Sequence, residues 1–423
     1  QYDMIELGRR PLGTAFHPFL YAAALETDLT PATLVEDEPM DNRAVMVGGR
    51  EGIIGEWGME IPNPRYEGNI TLRHALKNSK IAASVRIANR IGLDRVIDIA
   101  ARFGLPVADA KRLPRLAVGW ESVSLKQAVR AYSAFALKGR PSPHQPWYIA
   151  RIKDASGNEI YRRREPATAP TSPAACSEAT AFQIHDIMRD GMQDGSARGL
   201  ANDLAETPFI GAGKTGTTHD FSDNWFLGYN GQVTCGVWVG FLNDGHTIYN
   251  GAFARDLAMP VWKAAMNTAS RDFGGRGILQ PASIVERQIC RVSGERLTPY
   301  CYEMVKNEAT GEMRSQSTEI TEYFHRDSET RSFCSVHSGT TTPEIDSPTF
   351  DLGQTVVIDA APVIPTEANL VGDDPYHSVH AHSEEAPTDT RTTRTNVLDS
   401  FDLNDTVGIP QLPQPSRLEI TPD

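Results

Sequence analysis

The chain has 423 residues, 40% of them apolar, enough for two or three domains and at least one substantial core. Its formal net charge is −13, but residues 336–423 carry 15 Asp or Glu against three Arg, leaving 39 acidic and 38 basic residues in the first 335. A near-neutral body without a basic face argues against nucleic acid as a partner.

No apolar run reaches the ~18 residues of a membrane span and no signal-peptide pattern opens the chain, which as given is expected to be soluble. It starts with Gln1 rather than Met, and so is expected to be a piece of a longer anchored protein. Five cysteines, an odd number, define no disulfide framework, and no pair of them has metal-ligand spacing.

In chain order, Arg9-Arg10-Pro11-Leu12-Gly13-Thr14-Ala15-Phe16-His17-Pro18-Phe19 sets a turn-former, Gly13, before a helix-compatible apolar run. Thr14 then falls near a helix start, where the positive end of the dipole favours a developing anion. Thr14 and His17 are three apart, hence on one face of a turn, and a neutral imidazole with pKa ~6.5 can serve as a general base. The threonine methyl restricts the hydroxyl rotamer. The same two residues also fit an N-cap and a packed helix residue, and both readings stand.

Residues 30–70 read as a loop-rich connection, with Pro31, Pro39, Gly48, Gly49, Pro62 and Pro64. A helix begins at Thr71 and leads to Ser79-Lys80-Ile81. Apolar residues at helical spacing from Val85 to Phe103 predict two core helices, with Gly92 and Gly104 as stops and Asp94 as N-cap. Ser124-Leu125-Lys126-Gln127 has the form of a capping box before a helix that Gly139 ends. Trp147 to Tyr161 alternates around Asp154-Ala155-Ser156-Gly157-Asn158 and reads as a hairpin. A Pro/Thr/Ala connection over 166–173 precedes an amphipathic helix from Ser177 to Met192.

Gly213-Lys214-Thr215-Gly216-Thr217-Thr218 then combines a cation, hydroxyls and a residue without a side chain in a strand-like run. It suits an exposed strand edge on which an anionic substrate lies, with Lys214 and Thr215 meeting a carboxylate and Gly216 admitting the substrate backbone. Lys214 to Thr218, Trp225 to Tyr229 and Val233 to Leu242 predict three consecutive antiparallel strands, with Cys235 a buried thiol in the last, and Leu257 to Met266 a closing helix. After Gly339 the chain turns to Thr, Pro, Asp and Glu and is expected to be disordered. His377, His380 and His382 in that tail read as solvated side chains rather than metal ligands.

The Lys-Thr-Gly-Thr-Thr block with Trp225-Phe226-Leu227-Gly228-Tyr229 closely resembles the third-motif region of penicillin-binding proteins, whose serine transpeptidase domains carry a Ser-x-x-Lys, Ser-x-Asn, Lys-Thr-Gly set. The segment from Arg9 resembles the nucleophile segment of the class A members. Laid on that pattern, the nucleophilic Ser falls on Thr14 and the basic Lys on His17, and no Lys elsewhere has a Ser three residues before it. Ser79 keeps the second-motif Ser, whereas Ile81 replaces its amide residue and offers no donor or acceptor. The segment from Cys290 through Cys301 to Cys334-Ser335-Val336-His337 resembles the small appendix that follows many class A transpeptidase domains, and Cys290 and Cys301 can pair in an oxidising compartment.

The resemblance implies an α+β fold of the penicillin-binding-protein/serine β-lactamase type, an antiparallel sheet flanked by helices. It divides the chain into a transpeptidase-like domain over 1–275, N-terminally incomplete, an appendix over 276–338 and an acidic tail over 339–423. It implies degenerate catalytic positions Thr14, His17 and Ser79, a peptide-binding strand of Lys214, Thr215, Gly216 and Thr217, no metal and no cofactor. The implied partners are a D-Ala-D-Ala stem peptide or a β-lactam and other cell wall synthesis proteins, on the extracytoplasmic (periplasmic) face of the membrane, with the anchor absent from this chain. Three functional readings remain: a catalytically degenerate relative that keeps the recognition strand, an active D,D-transpeptidase using Thr14 and His17 in place of Ser and Lys, and a purely structural domain with no ligand whose acidic tail contacts a partner.

Overall fold

The computed structural model describes residues 3–40, 66–142, 149–163, 173–198, 211–218, 220–242, 246–307 and 310–337. The chain divides into two units, residues 1–369 and 370–423, and the second lies outside the described residues. So do residues 166–172 of the Pro/Thr/Ala connection, the Pro62-Asn63-Pro64 turn, Trp147, and the tail histidines His377, His380 and His382.

A three-stranded antiparallel sheet carries the Lys-Thr-Gly block. Its strands are Ala212–Thr217, Asp223–Tyr229 and Thr234–Gly240, paired in that order. We number strands in chain order, so these are β7, β8 and β9; β1 (Arg9–Pro11) pairs with β4 (Ser122–Ser124), β2 (Leu34–Asp37) with β3 (Gly68–Thr71), and β5 (Arg151–Lys153) with β6 (Glu159–Arg162). The register sets Lys214 opposite Leu227 and Gly216 opposite Trp225. Every residue of β8 is buried, because helices cover both faces of the sheet. That explains its nearly unbroken apolar run.

One of those helices, α7 (Ala254–Phe273), seats Trp262 against Phe226 with ring centroids 4.7 Å apart. Gly228 makes this possible, since a Cβ there would fall 2.5 Å from the Trp262 ring. Deeper in the core runs α1 (His17–Leu25), buried from His17 to Ala24 and therefore apolar all round. Its Phe19 meets Phe103, Tyr132 and Phe135 at centroid distances of 5.2, 5.4 and 5.6 Å. Phe103 follows α4 (Leu93–Arg102), and the two others lie on α5 (Leu125–Ala136).

Local signals place most helix ends. Ser124 and Gln127 form the predicted capping box, Thr71 caps α2 (Leu72–Lys77) by accepting from the His74 N–H, and Ser177 caps α6 (Glu178–Gln193). Between α2 and α4 lies α3 (Ile81–Ile91). Four expectations need correction. Gly92, with φ +85°, holds the cap position before α4, and Asp94 sits in the first turn, where its charge still complements the dipole. Part of the loop-rich connection is structured as the β2–β3 pair. Cys235 is half-buried, at the packing edge of β9.

The fourth correction concerns the supposed exposed edge, since β7 is buried along its whole length. A 3-10 turn, Gly13–Phe16, packs onto it closely enough that a Cβ on Gly216 would fall 2.5 Å from the Leu12 carbonyl and 2.6 Å from the Ala15 Cβ. On the far side of that turn a Cβ on Gly119 would fall 2.1 Å from the Gly13 carbonyl. The Thr14 turn is thus wedged between two glycine backbones.

After the helices come β10 (Ile284–Cys290), β11 (Tyr302–Lys306), β12 (Met313–Ser317) and β13 (Glu319–His325), in the antiparallel pairs β10–β13 and β11–β12. This appendix meets the body through Ala32, packed with Ile289 and Phe324. It also sends Glu322 to Arg73 of α2, which binds it at 2.8 and 2.7 Å and further pairs with Asp186 at 2.7 Å and with Asp190. Arg73, Asp186 and Glu322 are buried.

Candidate active site

Five of the predicted site residues converge where the Thr14 turn, the α2–α3 junction and β7 meet. Thr14 is 3% exposed, His17 0%, Ser79 5%, Lys214 2% and Thr215 7%. Thr14 Oγ1 donates to the Thr215 carbonyl at 3.2 Å. Lys214 Nζ donates to Ser79 Oγ at 2.5 Å and to the Thr215 carbonyl at 3.2 Å. Thr217, further along the strand, uses its hydroxyl to accept from the Ala254 N–H at 3.1 Å, capping the start of α7. Gly216 holds the close approach to the Thr14 turn.

Ser79 has φ +59°, a left-handed conformation that a residue with a Cβ adopts at a cost of ~1–3 kcal/mol. The turn is held by the Ser79 N–H donating to Leu76 and the Lys80 N–H to Ala75. It aims the hydroxyl at Lys214. Burial without a carboxylate partner lowers the Lys214 pKa to about 7, so near neutrality the amine is shared between its two protonation states.

His17 faces away from the role of a base for Thr14. Its Nδ1 lies 3.4 Å from Ser84 Oγ, which itself donates to the Lys80 carbonyl and contacts the Tyr21 hydroxyl at 3.0 Å; its Nε2 has no hydrogen-bond partner among the described residues. Burial, reinforced by the charge of Lys214, holds its pKa well below the ordinary 6.5. The imidazole is therefore neutral at physiological pH, and no hydrogen bond joins it to the Thr14 hydroxyl.

Ile81 stands where the second motif has its amide, and is built into packing. It lies against an apolar cluster of Phe221 and Ala252 with Ile248, Phe253 and Leu257. Lys80, beside it, pairs with Asp37 at 2.9 Å and Glu67 at 2.5 Å, tying the α3 start to the β2–β3 region. Ser196, in the Gly195-Ser196 turn that resembles the family's Gly-Ser turn before the Lys-Thr-Gly strand, accepts from Thr215 Oγ1 at 3.3 Å. Ser84 and Tyr21 carry no such local pattern; they reach the site from neighbouring helices.

The shape of this site has a family. Residues 9–263 match the penicillin binding protein transpeptidase domain, and residues 280–339 match the C-terminal domain of penicillin-binding protein 1A. The chain belongs to the penicillin-binding-protein transpeptidase family, with the domain order of class A members. Among its relatives, penicillin-binding protein 1A of Neisseria gonorrhoeae is 33% identical over 282 residues, 66% of this chain and 34% of that protein. Penicillin-binding protein 1A of Pseudomonas aeruginosa is 30% identical over 359 residues, 73% of this chain and 42% of that protein. In fold, the crystal structure of penicillin-binding protein 1A from Haemophilus influenzae superposes with a TM-score of 0.64 at 23% identity, over 78% of this chain and 50% of that one. The chain thus spans about a third of the length of the first of these relatives. Among the described residues no helix is long and apolar enough to cross a membrane.

Proposed function

We propose that this is a catalytically degenerate transpeptidase domain of cell wall synthesis, which keeps the Lys214-Thr215-Gly216-Thr217 strand as a weak recognition site for D-Ala-D-Ala-type stem peptides and β-lactams. The observation that carries this reading is the separation of the nucleophile position, Thr14, from the base position, His17. Thr14 donates its proton to the Thr215 carbonyl, whereas His17 is neutral, buried and bonded towards Ser84. An acyl transfer needs a hydroxyl whose proton passes to a positioned base as its oxygen attacks a carbonyl. Ile81 adds to the argument, because an apolar packing residue replaces the amide that would bind the peptide backbone.

The place of action is the extracytoplasmic face of the membrane, where the family's substrate lies, with other cell wall synthesis proteins as partners. In an active family member the acyl-enzyme would form on a serine at position 14 with loss of D-Ala, and the acyl group would pass to an amine of a second stem peptide. Here binding is retained without that step. Incubating the protein with a reporter penicillin and measuring intact mass tests the reading. It expects no adduct at concentrations that label an active family member. A stable adduct mapped to Thr14 would replace it with an active Thr14/His17 acyltransferase.

A further inference from the structure

The appendix gathers four metal-ligating side chains that sequence distance disguises. Cys290 ends β10, Cys301 precedes β11, and Cys334 and His337 follow β13; their Sγ and imidazole donor atoms all lie within 4.8 Å of one another. The three cysteines are buried and their thiols are free, so the Cys290–Cys301 pair that the sequence allows is not formed in this structure. His337 Nδ1 lies 3.4 Å from the sulfurs of both Cys290 and Cys334. A tetrahedral ion with Zn–S ~2.3 Å and Zn–N ~2.05 Å sets S···N edges at roughly 3.5 Å, the spacing observed here.

We propose that Cys290, Cys301, Cys334 and His337 form a Cys3His structural zinc site. The surroundings are those of bound thiolates rather than of ordinary core thiols. The Thr298 N–H donates to Cys301 Sγ at 3.3 Å and the His337 N–H to Cys334 Sγ at 3.4 Å. The Thr318 and Thr298 hydroxyls lie 3.2 and 3.3 Å from the sulfurs of Cys290 and Cys301. Such donors compensate negative charge on sulfur and orient the ligands. Cys334-Ser335-Val336-His337 also supplies a Cys-x-x-His pair on one turn.

The module needs a staple. Its apolar core is small, namely Ile289 and Phe324 with Val285 and Ile320 against Ala32, Ile284 against Ala179 and Phe182, and the three thiols with Val292 and Leu297 around them, while every residue of β12 is exposed. Units of this size commonly depend on a metal or on disulfides. Any one disulfide would use two of the three thiols and leave the third beside His337, whereas a tetrahedral ion uses all four groups. Binding converts three thiols to thiolates and releases their protons to solvent.

The test uses the whole chain, purified reduced and without oxygen, with zinc counted by native mass spectrometry and affinity measured against a chromophoric chelator. One zinc per chain is expected, and Co2+ in its place should give thiolate charge-transfer bands and the strong visible bands of tetrahedral cobalt. His337→Gln should weaken zinc at least ~100-fold with the far-ultraviolet circular dichroism unchanged, and Cys301→Ser should do so even if the appendix loosens. A folded, reduced protein that takes up no zinc overturns the proposal. So does zinc binding indifferent to both substitutions, or recovery of metal-free protein from an oxidising compartment with two of the three cysteines disulfide-linked.

Discussion

Lys214 Nζ donates to Ser79 Oγ across 2.5 Å, joining the third-motif strand to the second-motif serine with no first-motif lysine between them. The cation that should meet a substrate carboxylate is held by a strained serine and lies 2% exposed. With its pKa lowered to about 7 by burial, it is charged below that pH and largely neutral above it. A carboxylate ligand is attracted by the charged form alone. Affinity for a peptide ending in D-Ala-D-Ala should therefore fall about tenfold per pH unit above 7. Titration calorimetry from pH 6 to 9 checks this, and Lys214→Met should give weak, pH-independent binding.

Restoring the family's first motif should restore acylation if its loss is what silences the site. Thr14→Ser with His17→Lys should label with penicillin at least ~100 times faster than the unaltered chain, the scale of a positioned general base. Thr14→Ser alone should gain little, because His17 is bonded towards Ser84. Time-resolved intact-mass spectrometry reads both. Equal labelling by the single and double variants would mean that the base was never the missing part.

Arg73 is a single buried guanidinium facing Glu322, Asp186 and Asp190. Burial pushes the carboxyls of Glu322 and Asp190 up, and the three carboxyls keep Arg73 charged despite its own burial. Arg73→Ala leaves the buried Glu322 without its counter-charge, with Asp186 keeping only Arg189, and should cost about 3–5 kcal/mol of stability. A urea melt measures it. A loss under 1 kcal/mol would mean that water or a cation takes the place of Arg73.

Stability should also depend on His185 of α6, whose pKa burial, and then the charge of Arg189, lowers to about 4. The folded value lies below the unfolded 6.5, so the contribution is full above pH 6.5 and lost as pH falls towards 4, by roughly 3 kcal/mol. Glu322 and Asp190, with raised values, act in the opposite sense over the acidic range. Comparison with His185→Gln isolates the histidine: the variant should lose less stability than the unaltered chain between pH 7 and 4.5. Parallel pH profiles would refute the assignment.

What could be read from the sequence was local. The capping box at Ser124, the helix that starts at Ser177, the strand run around Lys214 and the glycine stop at Gly92 each act over a few residues and are written in adjacent positions. The position of Thr14 was legible from motif order, but its hydrogen bond to Thr215 was not, because it depends on how closely the turn is pressed onto β7 by the openings at Gly216 and Gly119. Exposure misled in the same way: a polar strand was read as a solvent edge, while the fold buries it. Ser84, the Arg73 cluster and the gathering of Cys290, Cys301 and Cys334 all rest on contacts between remote segments. None leaves a periodic trace.

The bond from Glu322 to Arg73 gives the appendix a stake in the body it follows. A chain ended at residue 275 would leave Arg73 with Asp186 and Asp190 alone and uncover the packing around Ala32, so the two parts do not separate cleanly at their sequence boundary. For descent, this means that the appendix cannot be exchanged freely between relatives as an independent cassette. Glu322 would have to travel with Arg73, and a hybrid carrying Glu322 without it would inherit an unmatched charge inside its fold.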